Sequence, residues 1–407
     1  MKGVVYDFKP DRWLAAHVAG RRIPALYDGP LSCLSLRTMP SKPLPGPKWV
    51  RLRPLLSGVC GSDLATITAH ASPVLSAFTA FPIVLGHEMV AEVLEVGPAV
   101  QRVTVGQRIV VQPFFGCEVR EIVPPCLSCS QGYPALCQNA AEGRLAPGML
   151  LGFCPDEPGG WSDESICHES QCYLVPDELS LEQAVLIEPL AVGLHAVLLH
   201  PPHSSDKVLV IGGGMIAFAV LAALAWLNTG ASVVHSFWEP FQADLSRQFG
   251  AQYQAIRENP DELIERVGGR SYRPRFGPSV SVGGYDMVVD CVGSSASMGT
   301  ALRTVRPQAT VVLVGAAAHL PGVDWTFVWN REIQLLGALA YGPEANYGHL
   351  HTFEATMKYL KSSLLPVEML ITHRMPLHDY RTAIRANLNR NRYHAIKTVF
   401  DFSIQHA

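Results

Sequence analysis

Along residues 2–188 the apolar positions fall in short runs, among them "WVRLRPLL", "MVAEVLEVG" and "QRIVVQP", broken repeatedly by Pro and Gly. Such runs between breakers predict strands, and their irregular spacing predicts a mostly antiparallel domain. From 189 to 340 the rhythm changes. Apolar strands in "KVLVIGGG", "ASVVHSF", "DMVVDCVG" and "TVVLVGA" alternate with helical segments up to Leu227, through "QADLSRQFG" and around "MGTALRTV". That alternation predicts an α/β unit, a parallel sheet with helices on both faces. The tail, 341–407, ends in the strand-like "AIKTVFDF" and is expected to return to the first domain. The expected domains are therefore 1–188 with 341–407, and 189–340. The stretch "RVGGRSYRPRFGPSVSVGG", residues 266–284, reads as a long surface loop.

One run needs a decision. "VLVIGGGMIAFAVLAALAWL", residues 208–227, carries no charge over 20 residues, long enough to span a bilayer. Three consecutive glycines inside a helix would cost about 1 kcal/mol each. The run divides better into a buried strand, a glycine turn and a buried helix, so no membrane partner is expected.

Composition narrows the class. The 407 residues are 48% apolar and 16% charged, enough for two packed cores. A net charge of -3 gives no reason to expect nucleic acid or anionic lipid. The opening "MKGVVYDFKPDRW" has no apolar stretch before its first charges, which argues against a signal peptide and for the cytoplasm. Thiols stay reduced there, so a cluster of cysteines points to metal before disulfides.

"VLVIGGGMIA" places Gly212, Gly214 and Ala217 in a G-x-G-x-x-A pattern after a strand and at the start of a helix. The first glycine permits the tight turn; the second lets the backbone approach a pyrophosphate seated on the helix N-terminus. An acid is expected at the end of the next strand to bond the adenosine ribose. "ASVVHSFWEP" instead offers Ser236, Phe237 and Trp238, with Glu239 two residues late and no Arg beside the turn. Phe237 either packs against the sheet edge or touches adenine. With neither usual device present, weak discrimination between NAD and NADP is expected.

"SGVCGSDLATI" and "VLGHEMVAEVLEVG" supply Cys60, His87 and Glu88, and "AVLIEPLAVGLHA" supplies Glu188. Thiolate, imidazole and carboxylate suit Zn²⁺, and three protein ligands would leave a position open. Singly, each residue has an ordinary alternative: a core cysteine, a core or surface histidine, a helix-start carboxylate. Together, and in the order "GVCGSDL", "VLGHE", "VTVGQRIVVQP", "GGWSDE", "LIEPLAVGLHA", "VLVIGGG", "VVDCVG", "ITHRMPL" and "IKTVF", they resemble the zinc-dependent medium-chain alcohol dehydrogenase family over nearly the whole chain. "LIEPLAVGLHA" looks most like the polyol, sugar and threonine dehydrogenase branch.

The resemblance implies a GroES-like, mostly antiparallel catalytic domain and a Rossmann, doubly wound coenzyme domain. It implies hydride transfer between a secondary alcohol and NAD or NADP, an active site between the domains, and a homodimer or homotetramer. Cys60, His87, Glu88 and Glu188 would serve the catalytic zinc, and Ser62 would take the hydroxyl proton. Val292 and Gly315, ending "VVDCV" and "TVVLVG", join the expected cofactor set. The family also binds a second, structural zinc through C-x2-C-x2-C-x7-C. Cys126, Cys129 and Cys137 match the last three ligands, while Val123 stands where the first is expected. Cys117 follows Pro113 by the family's usual spacing, so "EVREIV", 118–123, reads as an insertion and Cys117 as the first ligand. Two zinc ions per chain are expected. Cys33, Cys154, Cys167, Cys172 and Cys291 fit no ligand pattern and read as packing residues.

Two departures stand out. The family's relay histidine after "GSDL" is Ala65 here, leaving water, His70 or His195 to carry the proton onward. Residues 11–33 look like an insertion, either a pocket wall or a surface loop. The rival readings are a zinc-free NADPH-dependent quinone reductase and a non-catalytic protein retaining the fold; the ligand set weighs against both.

Overall fold

The computed structural model describes residues 1–404, the side chain of Asn346 excepted. The chain forms two compact units. One comprises Met1–Glu188, Phe353–Lys361 and Glu368–Ala407; the other comprises Pro189–Thr352 and Ser362–Val367. The return therefore falls at Phe353 and not at 341. The intervening residues belong to the second unit because Pro343–Glu344 pairs with Leu350–His351, and Glu344 bonds His195 at 2.8 Å.

The first unit is built on a sheet in the order Ile371–Met375, Lys397–Asp401, Trp49–Gly58, Met89–Val96, Arg108–Val111 and Cys172–Leu174, with Ser165–His168 also paired to Trp49–Gly58. Only the pair Ile371–Met375 and Lys397–Asp401 runs parallel. A smaller antiparallel sheet joins Leu34–Thr38, Lys2–Tyr6 and Ile83–Val84. Residues 11–33 fold against the first unit. Helix Pro10–Ala19 and the turn Ala25–Asp28 send Ala16 and Tyr27 into the core shared by Leu64 and Ile67. Buried Asp28 takes a two-pronged ion pair from Arg385 at 2.6 and 3.2 Å.

The second unit is a six-stranded, all-parallel sheet: Tyr253–Ile256, Ser232–Phe237, Lys207–Ile211, Tyr285–Asp290, Val305–Leu313, Gln334–Gly337. Chain order reverses beside Lys207–Ile211, the switch point at which open α/β sheets bind ligands. The central strands are covered on both faces, so "VLVI" and "MVVD" read as continuous apolar runs. Helix Met215–Leu227 has 13 residues, about 20 Å, and no helix among the described residues is long and apolar enough to cross a membrane. Residues 270–282 depart from the loop reading. Arg270–Tyr272 pairs antiparallel with Val280–Val282, and Arg331 anchors the hairpin through the Ser281 carbonyl at 2.5 Å.

Candidate active site and metal centres

Cys60 ends the segment after Trp49–Gly58 and caps helix Gly61–Ile67, its N–H held by Asp63 Oδ2 at 2.9 Å. His87 and Glu88 precede Met89–Val96, after Gly86 at φ +95°. A side chain at Gly86 would strike Trp161, so the turn that delivers His87 requires glycine. One donor atom from each of Cys60, His87 and Glu88 lies within 4.8 Å of the others.

His87 is oriented from both sides. Nε2 lies 3.3 Å from Ser62 Oγ, and Nδ1 lies 3.5 Å from Asp63 Oδ1. Both Nδ1 and that carboxylate oxygen are buried without a hydrogen bond. A carboxylate facing Nδ1 favours the proton there and leaves Nε2 toward Ser62. Burial opposes an imidazolium at His87, but Asp63 and then Cys60 outweigh it and raise its pKa well above the usual value. A pocket that gathers a thiol, an imidazole and carboxylates and favours positive charge suits a divalent cation.

Glu88 has a competing partner. Its carboxylate forms an ion pair with Lys397, and both residues are 2% exposed or less. Lys397 also donates to the Val59 carbonyl at 3.2 Å. Gly58 makes room, since a Cβ there would collide with the Glu88 carboxylate. Glu188, in the first turn of Ile187–Leu198, is buried but stands outside the Cys60–His87–Glu88 group.

The four lobe cysteines also converge. Donor atoms of Cys117, Cys126, Cys129 and Cys137 lie within 4.8 Å of one another, with Cys117 and Cys137 sulfurs 3.7 Å apart. Four sulfurs at tetrahedral positions around zinc would stand about 3.8 Å apart. N–H groups point at them: Cys117 to Cys129 at 3.3 Å, Cys126 to Cys117 at 3.3 Å, Gln138 to Cys126 at 3.5 Å and Asn139 to Cys137 at 3.4 Å. Burial pushes the Cys126 thiol up, yet Gln138 and the neighbouring Cys129 backbone bring it down to about 6; burial raises Cys129 and Cys137. The 118–123 segment turns back through fully buried Arg120, whose guanidinium donates to carbonyls of Glu142, Leu145, Ala146 and Gly148. That anchor holds residues 118–123 against the lobe while Cys117 stays beside the other sulfurs.

In the second unit Gly212 adopts φ +123° and Gly214 caps Met215–Leu227. Ala217 is fully buried on that helix. Side chains added at Gly212 and Gly315 would both press on Val292 or its neighbours, so these three meet at the carboxyl ends of the strands. Ser236 accepts the Gly212 N–H at 2.9 Å. Phe237 is 2% exposed with its ring 4.7 Å from His235, so its side chain packs into the unit. His235 lies within 2.6 Å of the Gly212 carbonyl and 2.9 Å of Ser246 Oγ. Burial lowers its pKa to about 4, so the neutral ring donates from Nε2 to that carbonyl.

Asp63, Lys397, His235 and Gln242, whose amide bonds the Gly213 carbonyl at 2.6 Å, escaped the sequence reading. Only Asp63 had a local signal, an acid three residues after a helix-capping position.

Residues 46–177 match the family model described as alcohol dehydrogenase GroES-like domain, and residues 217–358 match zinc-binding dehydrogenase. L-idonate 5-dehydrogenase of Vitis vinifera is 27% identical over 375 residues, 90% of this chain and 93% of that protein. Sorbitol dehydrogenase of Homo sapiens is 27% identical over 343 residues, 82% and 84% of the two chains. Among solved structures, 2R,3R-butanediol dehydrogenase from Bacillus subtilis superposes with a TM-score of 0.70 at 22% identity, covering 90% of this chain and 96% of its own. Galactitol-1-phosphate dehydrogenase from Escherichia coli gives 0.72 at 20% identity, covering 98% and 100%.

Proposed function

Because the chain belongs to the zinc-dependent medium-chain alcohol dehydrogenase family, we propose that it transfers a hydride between a secondary alcohol of the polyol or sugar type and NAD or NADP. The observation that carries this reading is the convergence of Cys60, His87 and Glu88 beside the Ser62 hydroxyl. Cys60 and His87 would hold a catalytic zinc, with Glu88 and Glu188 as ligands or as partners of a water there. Cys117, Cys126, Cys129 and Cys137 would hold a second, structural ion. When bound, the catalytic ion supplies a Lewis acid that lowers the pKa of the substrate hydroxyl.

The protein's own groups do the rest. Asp63 fixes the His87 ring, and Lys397 balances the Glu88 charge. Ser62 Oγ accepts the substrate hydroxyl proton and can pass it on, since a hydroxyl both donates and accepts. Gly212, Gly214 and the Met215–Leu227 N-terminus would receive the coenzyme pyrophosphate. All ten cysteines are free, in keeping with the cytoplasm. The edge strand Gln334–Gly337 and nearby Trp325, Trp329 and Leu339, 46% exposed or more, support self-association. The test is turnover of a panel of polyols, sugars, amino alcohols and simple secondary alcohols with each coenzyme. Absence of turnover in zinc-replete protein across the panel would sink the reading.

A further inference from the structure

In the sequence, neither an acid at the end of the second strand nor an Arg beside the glycine turn sets the coenzyme preference. The fold supplies one from elsewhere. Tyr253–Ile256 lies parallel to Ser232–Phe237 with Ile256 opposite Phe237, so Arg257 emerges at the carboxyl end of the second strand. Its N–H donates to the Phe237 carbonyl at 2.9 Å, and its Nε donates to the Trp238 carbonyl at 2.8 Å. Its backbone is left-handed, φ +56°, a conformation a non-glycine residue keeps where its surroundings fix it. The glycine turn is adjacent: the Gly212 N–H bonds Ser236, and Gln242 bonds Gly213.

In sheets of this topology the adenosine ribose lies at the end of the second strand. Two charged groups stand there. Glu239 Oε2 and Arg257 Nη2 are 3.7 Å apart, too far for a hydrogen bond, so Glu239 is a loose counter-ion. The Glu239 side chain is 19% exposed and the Arg257 side chain 59%. The carboxylate is tucked in, and the guanidinium faces outward with its stem aimed by the Trp238 carbonyl. Its remaining N–H groups form the planar fork that suits a phosphate.

Resting on the coenzyme reading above, we propose that Arg257 recognises the 2′-phosphate of NADP and gives the protein a preference for NADP over NAD. The test is calorimetric titration of the zinc-loaded protein with 2′,5′-ADP, 5′-ADP, NADPH and NADH. The wild type should bind 2′,5′-ADP roughly tenfold or more tighter than 5′-ADP. Arg257→Gln should bring that ratio to about one while leaving 5′-ADP binding unchanged. Arg257→Lys should keep part of the preference, and Glu239→Gln should increase it by removing a like charge. Equal binding of the two nucleotides by the wild type, or a preference that survives Arg257→Gln in a variant with unchanged circular dichroism, would overturn the proposal. NADH binding without NADPH binding would overturn this proposal alone; failure of both to bind would overturn the coenzyme reading with it.

Discussion

The Lys397 ammonium rests on the Glu88 carboxylate, joining the last strand of the protein to the residue beside His87 across 309 positions of sequence. Removing one member of a buried ion pair leaves the other charge uncompensated, at a cost of about 3–5 kcal/mol. Lys397→Met should therefore unfold at markedly lower denaturant. Adding Glu88→Gln should recover much of the loss, and a double-mutant cycle by chemical denaturation measures the coupling.

Zinc content should separate two roles. Cys129→Ala should bind one equivalent fewer than wild type and lose about 3 kcal/mol or more, roughly 6–12 °C in a unit of this size. Cys60→Ala should also lose one equivalent, keep its thermal midpoint within a few degrees and have no measurable turnover. Elemental analysis with calorimetry checks both. One ion or none in unchelated wild-type protein would contradict the two-site reading.

Asp63→Asn should weaken zinc at the Cys60–His87 site by about 10–100-fold, because the carboxylate that sets the His87 ring is gone. Competition with a chromogenic chelator reads this directly. The lobe zinc serves as the internal control and should exchange as in wild type.

Ser62→Ala should lower turnover on the order of a hundredfold with zinc content unchanged. Turnover equal to the parent would remove the hydroxyl from the proton path.

Acid should destabilise the protein through His235. Its folded pKa, about 4, lies below the unfolded value near 6.5. The folded ring stays neutral while the unfolded ring takes a proton. Stability from this group is thus fully present above about pH 6.5 and falls by about 3 kcal/mol as pH drops through 4. His235→Asn should flatten that part of the pH–stability curve, measured by urea unfolding between pH 7 and 4.

The features legible in the sequence were those written in local spacing. The alternation from 189 to 340 gave the parallel sheet, and G-x-G-x-x-A marked its turn, because strand, glycine and helix are consecutive there. The cysteines of the lobe lie within 21 residues, so Cys117 could be proposed despite the interruption; nothing local indicated that Arg120 anchors it. Arg257 and Lys397 could not be seen. Each reaches its site through strand pairing, and neither neighbouring sequence names its destination. The hairpin at 270–282 was obscured by its Gly and Pro content, which signals turns more strongly than three-residue strands signal pairing.

The pairing of Val399 with Gly58 places the final strand against one of the first made. On the ribosome, at about 5–20 residues per second, the stretch between them takes roughly 17–68 s to emerge. For that time the edge of Trp49–Gly58 and the Glu88 carboxylate wait for partners not yet synthesised. The parallel sheet, whose six strands all lie between Lys207 and Gly337, has no such delay. Nascent chains stalled before residue 397 should therefore show a protease-resistant second unit and a first unit that still needs a chaperone.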